Sequence, residues 1–213
     1  MKKKIVTISR QYGSGGRYIG ENLAKAMGVP CYDEKLIDMV AKKSGFAQSF
    51  VAEKGERMTG SLLFNIASSL SFANNVFSTN NGVTLQDEIY FTQNRIIKEL
   101  ADKGPCVIVG RCADAILKDD PDCIGIFLSA PLKTRIQTVM KRDGLDEKAA
   151  KRRIEQTDRR RADNYRYYTR RIWGMSGNYQ MCIDTSLGED YVINTVLDLV
   201  KNVNRHVSES RAE

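Results

Sequence analysis

The sequence predicts an α/β protein built on a parallel five-stranded β-sheet. Short apolar segments with the composition of buried strands alternate with helical patterns along the chain. These segments are residues 4–9, 29–32, 106–110, 124–128 and 180–184. Strands whose side chains are apolar on both sides are typical of a sheet that is covered by helices on both faces. The length of 213 residues suits a single domain, 1–213, with room for an insertion.

Helix boundaries follow from capping residues. The first helix begins after the first strand and ends at Gly28. A longer one begins at Thr84, which has capping-box spacing to Asp87, and ends at Gly104. Pro131 stands near the first turn of the next helix, where its missing N–H has little effect. An apolar stripe from residue 192 onwards predicts a C-terminal helix.

Two segments are expected to stand out from the sheet and its covering helices. The stretch 44–82 is longer than a strand-to-strand crossover needs and predicts a helical insertion over one edge of the sheet. Its apolar residues at helical spacing are Leu62, Leu63, Ile66 and Leu70. They suit either a clamp over a substrate or a homodimer surface, so the oligomeric state stays open. The second segment, 155–178, is rich in arginine and is expected to form a lid.

Charge is concentrated in that second region. The formal net charge is +7, and between Lys151 and Arg171 nine basic residues face three acidic ones, a local excess of +6. Such a local cluster suits a polyphosphate ligand at least as well as a long nucleic acid. We therefore expect a small anionic ligand and no nucleic-acid partner.

Several classes of protein are excluded by composition. The five cysteines form no C-x-x-C pair and the single histidine is His206, so we expect no metal site made of protein side chains and no cysteine–histidine nucleophile. No apolar run approaches the length of a membrane span. The lysine-rich start leads into charged residues and glycines after a few apolar positions, unlike a signal peptide, and predicts a cytoplasmic protein.

The segment ISRQYGSGGRYIG, residues 8–20, is the main functional signal. A glycine-rich turn between a buried strand and a helix presents unpaired backbone N–H groups to an anion. The predicted phosphate-binding residues are Gly13, Ser14, Gly15, Gly16 and Arg17.

The loop departs from the usual pattern G-x-x-x-x-G-K-[ST]. Arg10 occupies the position of its first glycine, Gly16 that of its lysine, and Arg17 that of the hydroxyl residue which contacts magnesium. Either Arg17 or Arg10 is predicted to replace the lysine as the cation that faces the phosphates. Arg17 is the first choice.

Two other interpretations of the loop remain open. A dinucleotide-binding fold also begins with a strand, a glycine loop and a helix, and Asp33 or Glu34 stands where its ribose-binding acid would be. Tyr18, however, replaces the third glycine of that fingerprint. In the other interpretation the glycines form a tight turn without a ligand.

Motifs in six places, in register along nearly the whole chain, resemble the cytidylate kinase-like branch of the P-loop nucleoside monophosphate kinases. They are ISRQYGSGGRYIG, VPCYDEKLI, VIVGRCADAIL, IFLSAPLKTRIQTVMKRDG, TDRRRADNYRYYT and NYQMCIDTSLG. The resemblance implies a P-loop kinase fold and phosphoryl transfer from ATP, with Mg²⁺, to a nucleoside monophosphate such as CMP or dCMP, or to a related small phosphate.

The resemblance also implies roles for individual residues. Asp158 and Arg161 reproduce the D-x-x-R spacing of kinase lids, with Arg159 beside them, and are the predicted catalytic residues together with Arg17. Their charges would stabilise the transferring group.

The acceptor would be bound elsewhere in the chain. Arg111 matches the arginine of the G-R-D motif that cytidylate kinases use on their acceptor, whereas Cys112 replaces the aspartate, and Asp114 is a possible substitute. Asp33 would hold the acceptor or reach magnesium through water. Alternatively, Asp33 caps the helix that follows.

Two functions of other classes remain. Loss of the lysine and of the hydroxyl residue is compatible with a catalytically inactive nucleotide-binding module. A basic nucleic-acid-binding protein is the other alternative.

Overall fold

The computed structural model describes residues 4–54 and 84–209. Five parallel strands form one sheet in the order β2-β3-β1-β4-β5. The strands are β1 (Ile5–Arg10), β2 (Cys31–Tyr32), β3 (Cys106–Val109), β4 (Cys123–Ser129) and β5 (Met181–Asp184). This confirms the predicted strands. The order differs from the 3-2-1-4-5-6 arrangement of dinucleotide-binding folds, so the dinucleotide interpretation of the glycine loop is wrong.

Helices cover both faces of the sheet. They are α1 (Gly16–Met27), α2 (Glu34–Ser44), α3 (Gln48–Lys54), α4 (Leu85–Lys103), α5 (Ala113–Ile116), α6 (Leu132–Asp143), α7 (Glu147–Thr169) and α8 (Glu189–Glu209). The predicted capping box is present at the start of α4, where Thr84 and Asp87 bond each other's backbone N–H. Helix α1 ends, as predicted, at Gly28, which adopts a left-handed conformation with φ 67°.

Successive side chains of each strand point to opposite faces of the sheet, so the hydrophobic core has two parts, one on each face. Ile5 and Ile108 point to one side, where they pack with α2 and α4. Val6 and Val107 point to the other side, where they pack with α1 and α8. Because both faces are buried, each strand is held in register from above and below, and the carboxyl ends of β1, β3 and β4 come together at one edge of the sheet.

The predicted insertion, 44–82, is described only as far as residue 54. Within that part, α3 packs against α2 and α4. Leu62, Leu63, Ile66 and Leu70 lie outside the described residues.

The arginine-rich segment lies largely within one long helix. Helix α7 is continuous from Glu147, and its start is capped by the Asp146 side chain, which accepts from the N–H of Ala149 at 2.7 Å. The predicted start of the lid at residue 155 therefore falls inside a helix. On the side facing α6, α7 buries Ala150 and Ile154 against Ile136 and Val139.

In the part of the chain that the structure covers, no helix has both the length and the apolar composition needed to cross a bilayer.

Candidate functional site

The glycine loop connects β1 to α1 through two left-handed residues. Gly13 has φ 82° and Gly15 has φ 75°. At Gly13, an added Cβ atom would lie 2.9 Å from the carbonyl oxygen of Arg135, so only glycine fits there without displacing backbone. The glycines of the segment are thus required by the backbone path that carries the chain around the start of α1.

The start of α1 presents backbone donors. Its first internal hydrogen bond runs from the N–H of Ile19 to the carbonyl of Gly15, at 3.0 Å. The N–H groups of Gly16, Arg17 and Tyr18 precede that bond, and among the described residues no side chain caps the helix at Gly15. Ser14 differs, because its N–H and its hydroxyl both donate to the carbonyl of Gln11. The geometry suits an anion at the helix start.

Arg17 is directed towards carboxylates. Its Nη1 lies 2.5 Å from an oxygen of Glu34, and its Nε lies 3.1 Å from an oxygen of Glu21. Both hydrogen bonds raise the pKa of Arg17. The side chain is 54% exposed. In this structure Arg17 joins the start of α1 to the start of α2, and its predicted role as the phosphate-facing cation stays a prediction.

Asp33 precedes α2 but does not cap it. Its side chain makes no capping hydrogen bond, so the capping interpretation is wrong. The carboxylate is 16% exposed and lies 3.9 Å from Nε of Arg17. It stands at the carboxyl end of β2 and points towards the first turn of α1. Whether it binds substrate or magnesium stays a prediction.

A partly open cleft lies beside the glycine loop, at the carboxyl ends of β1 and β3. We call it the arginine cleft. It is lined by Ser9, Arg10, Gly110, Arg111, Cys112, Arg161, Asn164, Tyr165 and Trp173. Three of these residues are arginines, and none of the described residues that line the cleft is acidic. Its charge suits an anion.

Arg111 is the most unusual residue of this cleft. It is only 7% exposed, and within the described chain its Nε and Nη1 atoms have no hydrogen-bond partner. Burying guanidinium nitrogens without partners is costly, because they give up hydration and gain no hydrogen bond in return. An anionic ligand in the cleft would supply the missing acceptors.

The backbone around Arg111 is strained. Gly110, Arg111 and Cys112 are all left-handed, with φ 74°, 59° and 56°. Only the glycine adopts this conformation freely, and strained backbone of this kind is found preferentially at functional sites. The side chain of Gln93 holds the turn by donating to the carbonyl of Arg111 at 2.9 Å. The sequence motif Gly-Arg-Cys gave no sign of three successive left-handed residues.

Asp114 lies behind the cleft and does not line it. The carboxylate accepts from the hydroxyl of Tyr165 at 2.6 Å and from that of Ser9 at 3.2 Å. Burial raises the pKa of Asp114, and these two hydrogen bonds oppose the rise. Cys112 is also buried, and its Sγ lies 3.7 Å from the amide nitrogen of Asn164. The carboxylate thus holds Ser9 and Tyr165 in position in the wall of the cleft.

Arg10 runs from beneath the glycine loop into the cleft. A Cβ atom added at Gly16 would lie 2.7 Å from Cβ and Cγ of Arg10. At Gly110, such an atom would meet the guanidinium of Arg10. The carbonyl of Arg10 accepts from Nη1 of Arg161 at 3.0 Å. Two glycines, one in the loop and one after β3, therefore leave room for this side chain.

Asp158 and Arg161 connect α7 to the glycine loop. The carboxylate of Asp158 accepts from the N–H of Tyr12 at 2.7 Å and from Nη1 of Arg135 at 2.6 Å. Arg135 is 8% exposed, and its Nε also donates to the carbonyl of Ala130. Arg159 lies on the exposed side of α7. The structure brings Asp158 and Arg161 to the loop, and their catalytic roles, like that of Arg159, stay predictions.

Sequence analysis missed Arg135. It lies within the segment IFLSAPLKTRIQTVMKRDG, but nothing in that segment singles it out, because an arginine on an amphipathic helix is more often a solvated residue. Only the tertiary fold places it between the loop and Asp158.

A site made of several metal ligands is not found in the described ranges, 4–54 and 84–209: no cluster of three or more histidine, cysteine, aspartate or glutamate residues could hold an ion there. A magnesium ion at the loop would depend mainly on phosphate oxygens and water.

Comparison with known proteins identifies both a family and a fold for this chain. The model of the cytidylate kinase-like family matches residues 5–187. A cytidylate kinase from Methanopyrus kandleri is 30% identical over 101 residues, an alignment that covers 42% of this chain and half the length of that enzyme.

Solved structures with the same fold cover nearly the whole chain. An uncharacterized protein from Eubacterium ventriosum has a TM-score of 0.68 at 25% identity, covering 93% of this chain and 99% of that one. A gluconokinase from Sinorhizobium meliloti has a TM-score of 0.56 at 12% identity, covering 98% and 97%. A shikimate kinase from Bacteroides thetaiotaomicron has a TM-score of 0.53 at 11% identity, covering 93% and 98%. At these identities the two kinases show the fold alone, which is that of the P-loop kinases.

Proposed function

The chain belongs to the cytidylate kinase-like family, and we propose that it is an ATP-dependent phosphotransferase whose acceptor is a nucleoside monophosphate. CMP and dCMP are the first candidates, because the curated relative is a cytidylate kinase. A related small phosphate is the next candidate.

The observation that carries the proposal is the buried guanidinium of Arg111 beside the glycine loop. It is 7% exposed, with two nitrogens that have no partner in the described part of the chain. The strained turn at 110–112 directs it into a cleft lined by two further arginines. A phosphate monoester fills such a site well, since its oxygens accept from a guanidinium at two points.

The donor nucleotide would be bound by the loop. The N–H groups of Gly16 and Arg17 at the start of α1 would contact phosphate oxygens, with Gly13 and Gly15 keeping the backbone open. Ser14 would support the loop from within, since its hydroxyl bonds the carbonyl of Gln11. In this arrangement the triphosphate would lie at the mouth of the arginine cleft.

In this arrangement one carboxylate would help to hold magnesium. Asp33 is 16% exposed and faces the first turn of α1, where it would reach the ion through water. When bound, the ion neutralises negative charge on the phosphates. Arg17 occupies the position of the usual hydroxyl ligand, so the side chains here offer little direct coordination.

In the proposed reaction, an oxygen of the acceptor phosphate attacks the γ-phosphorus of ATP. A new P–O bond forms to the acceptor, the bond between the γ-phosphorus and the bridging oxygen breaks, and ADP leaves with that oxygen. Catalysis of this step depends on position and on cations around the oxygens that gain charge. Arg161 lines the cleft and is suited to this task, whereas Arg159, on the exposed side of α7, would need the helix to move.

Asp158 and Asp114 would act through other residues. Asp158 holds Tyr12 and Arg135, and so keeps α7 against the loop. Asp114 holds Ser9 and Tyr165, and so shapes the wall of the cleft next to Arg111.

Turnover with purified protein, ATP and Mg²⁺, tested against CMP, dCMP, UMP, AMP and GMP in turn, examines the proposal directly. Formation of a nucleoside diphosphate from at least one of them is the expected result. Tight ATP binding without any product would indicate an inactive nucleotide-binding module instead. Binding to duplex DNA or RNA with a steep salt dependence and no ATP affinity would indicate a nucleic-acid-binding protein.

The panel also examines the role of Cys112. Because no described residue lining the cleft is acidic, we expect weak discrimination between cytosine and uracil, with rates for CMP and UMP within about tenfold of each other.

A further inference from the structure

Within the proposed function, we propose that Arg10 is the cation that replaces the missing lysine of the glycine loop, and that it contacts the phosphoryl group which passes from donor to acceptor. Arg10 is the last residue of β1. It therefore approaches the phosphates from the sheet, whereas the usual lysine approaches from the helix.

The first argument is position. The side chain of Arg10 begins beneath the loop, where its Cβ and Cγ would lie 2.7 Å from a Cβ atom at Gly16. It ends beside Gly110, and it lines the cleft together with Arg111 and Arg161. One side chain thus spans the gap between the start of α1, where the donor phosphates would sit, and Arg111, where the acceptor would sit.

The second argument is the space left for it. Gly16 occupies the lysine position of the usual pattern, and Arg10 occupies that of the first glycine. The two positions have exchanged a long cation and a glycine. A side chain at Gly16 would collide with the stem of Arg10, so the loop accommodates one of these cations and excludes the other.

The third argument concerns the competing residue. Arg17 is 54% exposed and bonded to Glu21 and Glu34, with Asp33 3.9 Å away. Moving it to the phosphates would break two charge-assisted hydrogen bonds and leave three carboxylates next to a polyanion. Arg10 already lines the cleft.

The partly buried position of Arg10 strengthens the effect of its charge. A cation in a cleft with low solvent access interacts more strongly with a phosphoryl group than one at the surface. The buried Arg111 guanidinium, two of whose nitrogens lack partners among the described residues, indicates independently that the cleft is built for an anion.

The test compares Arg10→Met with Arg17→Met. Methionine keeps the unbranched stem that packs beneath Gly16 and removes only the charge. For each variant, the affinities for ATP and for ADP are measured by calorimetry, and kcat is measured with the best acceptor. A circular dichroism melt checks that each variant is folded.

A cation on the transferred group contacts ATP and cannot contact ADP in the same way. For Arg10→Met we therefore expect ATP affinity to fall about tenfold, ADP affinity to change less than about threefold, and kcat to fall about 100-fold. Arg17→Met should lower ATP affinity and kcat less than Arg10→Met does, and Arg95→Met, an exposed arginine on α4, should leave all three unchanged. Equal losses for ATP and ADP would show that Arg10 only supports the loop and would overturn the proposal, as would an effect confined to Arg17→Met.

A second variant covers the case in which Arg10→Met does not fold. Arg10→Gln keeps a stem beneath Gly16 and a polar end group but removes the charge. It should reproduce the selective loss of ATP affinity, and unchanged ATP affinity would overturn the proposal. The binding measurements remain decisive if wild-type protein shows no turnover, so a failure of the kinase function and a failure of the Arg10 assignment can be told apart.

Discussion

The glycine loop and the arginine cleft are adjacent, but they would bind anions by different means. The loop offers backbone N–H groups at a helix start, and its ability to bind an anion depends on the shape of the backbone. Gly13 and Gly15 are left-handed, and a Cβ atom added at Gly13 would lie 2.9 Å from a backbone oxygen. The cleft offers guanidinium groups from β1, from the turn after β3 and from α7, and its ability to bind an anion depends on their charge.

This difference explains how a loop without its lysine can still belong to a kinase-like site. Positive charge that other loops carry at the start of the helix is found here on the neighbouring strand ends and on α7. Substitutions in the cleft should therefore lower reaction rates and the preference for ATP over ADP, whereas substitutions in the loop should mainly lower nucleotide affinity. The predictions below separate these effects.

The largest effect is expected for Arg111→Met. Loss of the guanidinium should lower kcat/KM for the acceptor about 100-fold or more, because a preorganised donor to the phosphate disappears. The melting temperature of the ligand-free protein should stay the same or rise, since the change removes a buried cation with two nitrogens that lack a described partner.

Arg95→Met, an exposed arginine on α4, is the matched control and should leave kcat/KM unchanged. Full activity of Arg111→Met would remove the cleft from the proposed mechanism.

The connection between the two regions is tested by Asp158→Asn. The change leaves the buried Arg135 without a carboxylate and weakens the contact to the N–H of Tyr12. The free energy of unfolding should fall by about 2 kcal/mol, measured by urea denaturation. Asp163→Asn, at an exposed position on the same helix, should change it by less than about 0.5 kcal/mol. Equal stabilities for the two variants would show that Asp158 does not fasten α7 to the loop.

The shape of the loop is tested by Gly16→Ala. Its new methyl group would press on the stem of Arg10, 2.7 Å away, and displace either the loop or the arginine. Affinity for ATP should fall about tenfold, equivalent to about 1.4 kcal/mol, in a calorimetric titration. Gly177→Ala has open space around it and serves as the control. Wild-type affinity in Gly16→Ala would mean that the close approach is not needed.

The smallest effect is expected at Asp143, beside the loop residue Tyr12. Hydrogen bonds from Arg142 and Arg153 lower the pKa of Asp143 below its ordinary value. An acid with a lowered pKa stabilises the folded state above its ordinary pKa of about 4, and this contribution is lost as the pH falls through the folded-state value. Asp143→Asn should lower stability at pH 7 by about 1 kcal/mol or less.

Below about pH 4, the stability of Asp143→Asn should depend less steeply on pH than that of wild type. Urea denaturation at pH 7 and at pH 3 measures both quantities. A variant whose pH dependence matches wild type would show that this carboxylate is not coupled to folding.

Features set by neighbouring residues were predictable from the sequence. The five strands, the capping box at Thr84 and the helix end at Gly28 depend on local apolar patterns and on residues with special backbone preferences. The glycine loop was predictable for the same reason. The family resemblance added the expected ligands of that loop, namely ATP and an acceptor phosphate.

Features set by contacts between distant parts of the chain were not predictable. Arg17 has the expected position at the start of α1, but Glu34 from the next helix determines where its guanidinium lies. Asp158 was identified by its spacing to Arg161, yet the structure joins it to Arg135, 23 residues earlier, and not to its motif partner. The left-handed conformation of Arg111 and Cys112 depends on packing that no local rule contains.

The most direct test of the central claim is a crystal structure with a non-hydrolysable ATP analogue, Mg²⁺ and CMP. We predict phosphate oxygens within about 3 Å of the N–H of Gly16 and of the Nε and Nη1 atoms of Arg111, with the guanidinium of Arg10 between the two phosphates. A nucleotide bound away from the loop, or a cleft in which Arg111 contacts no anion, would contradict the account.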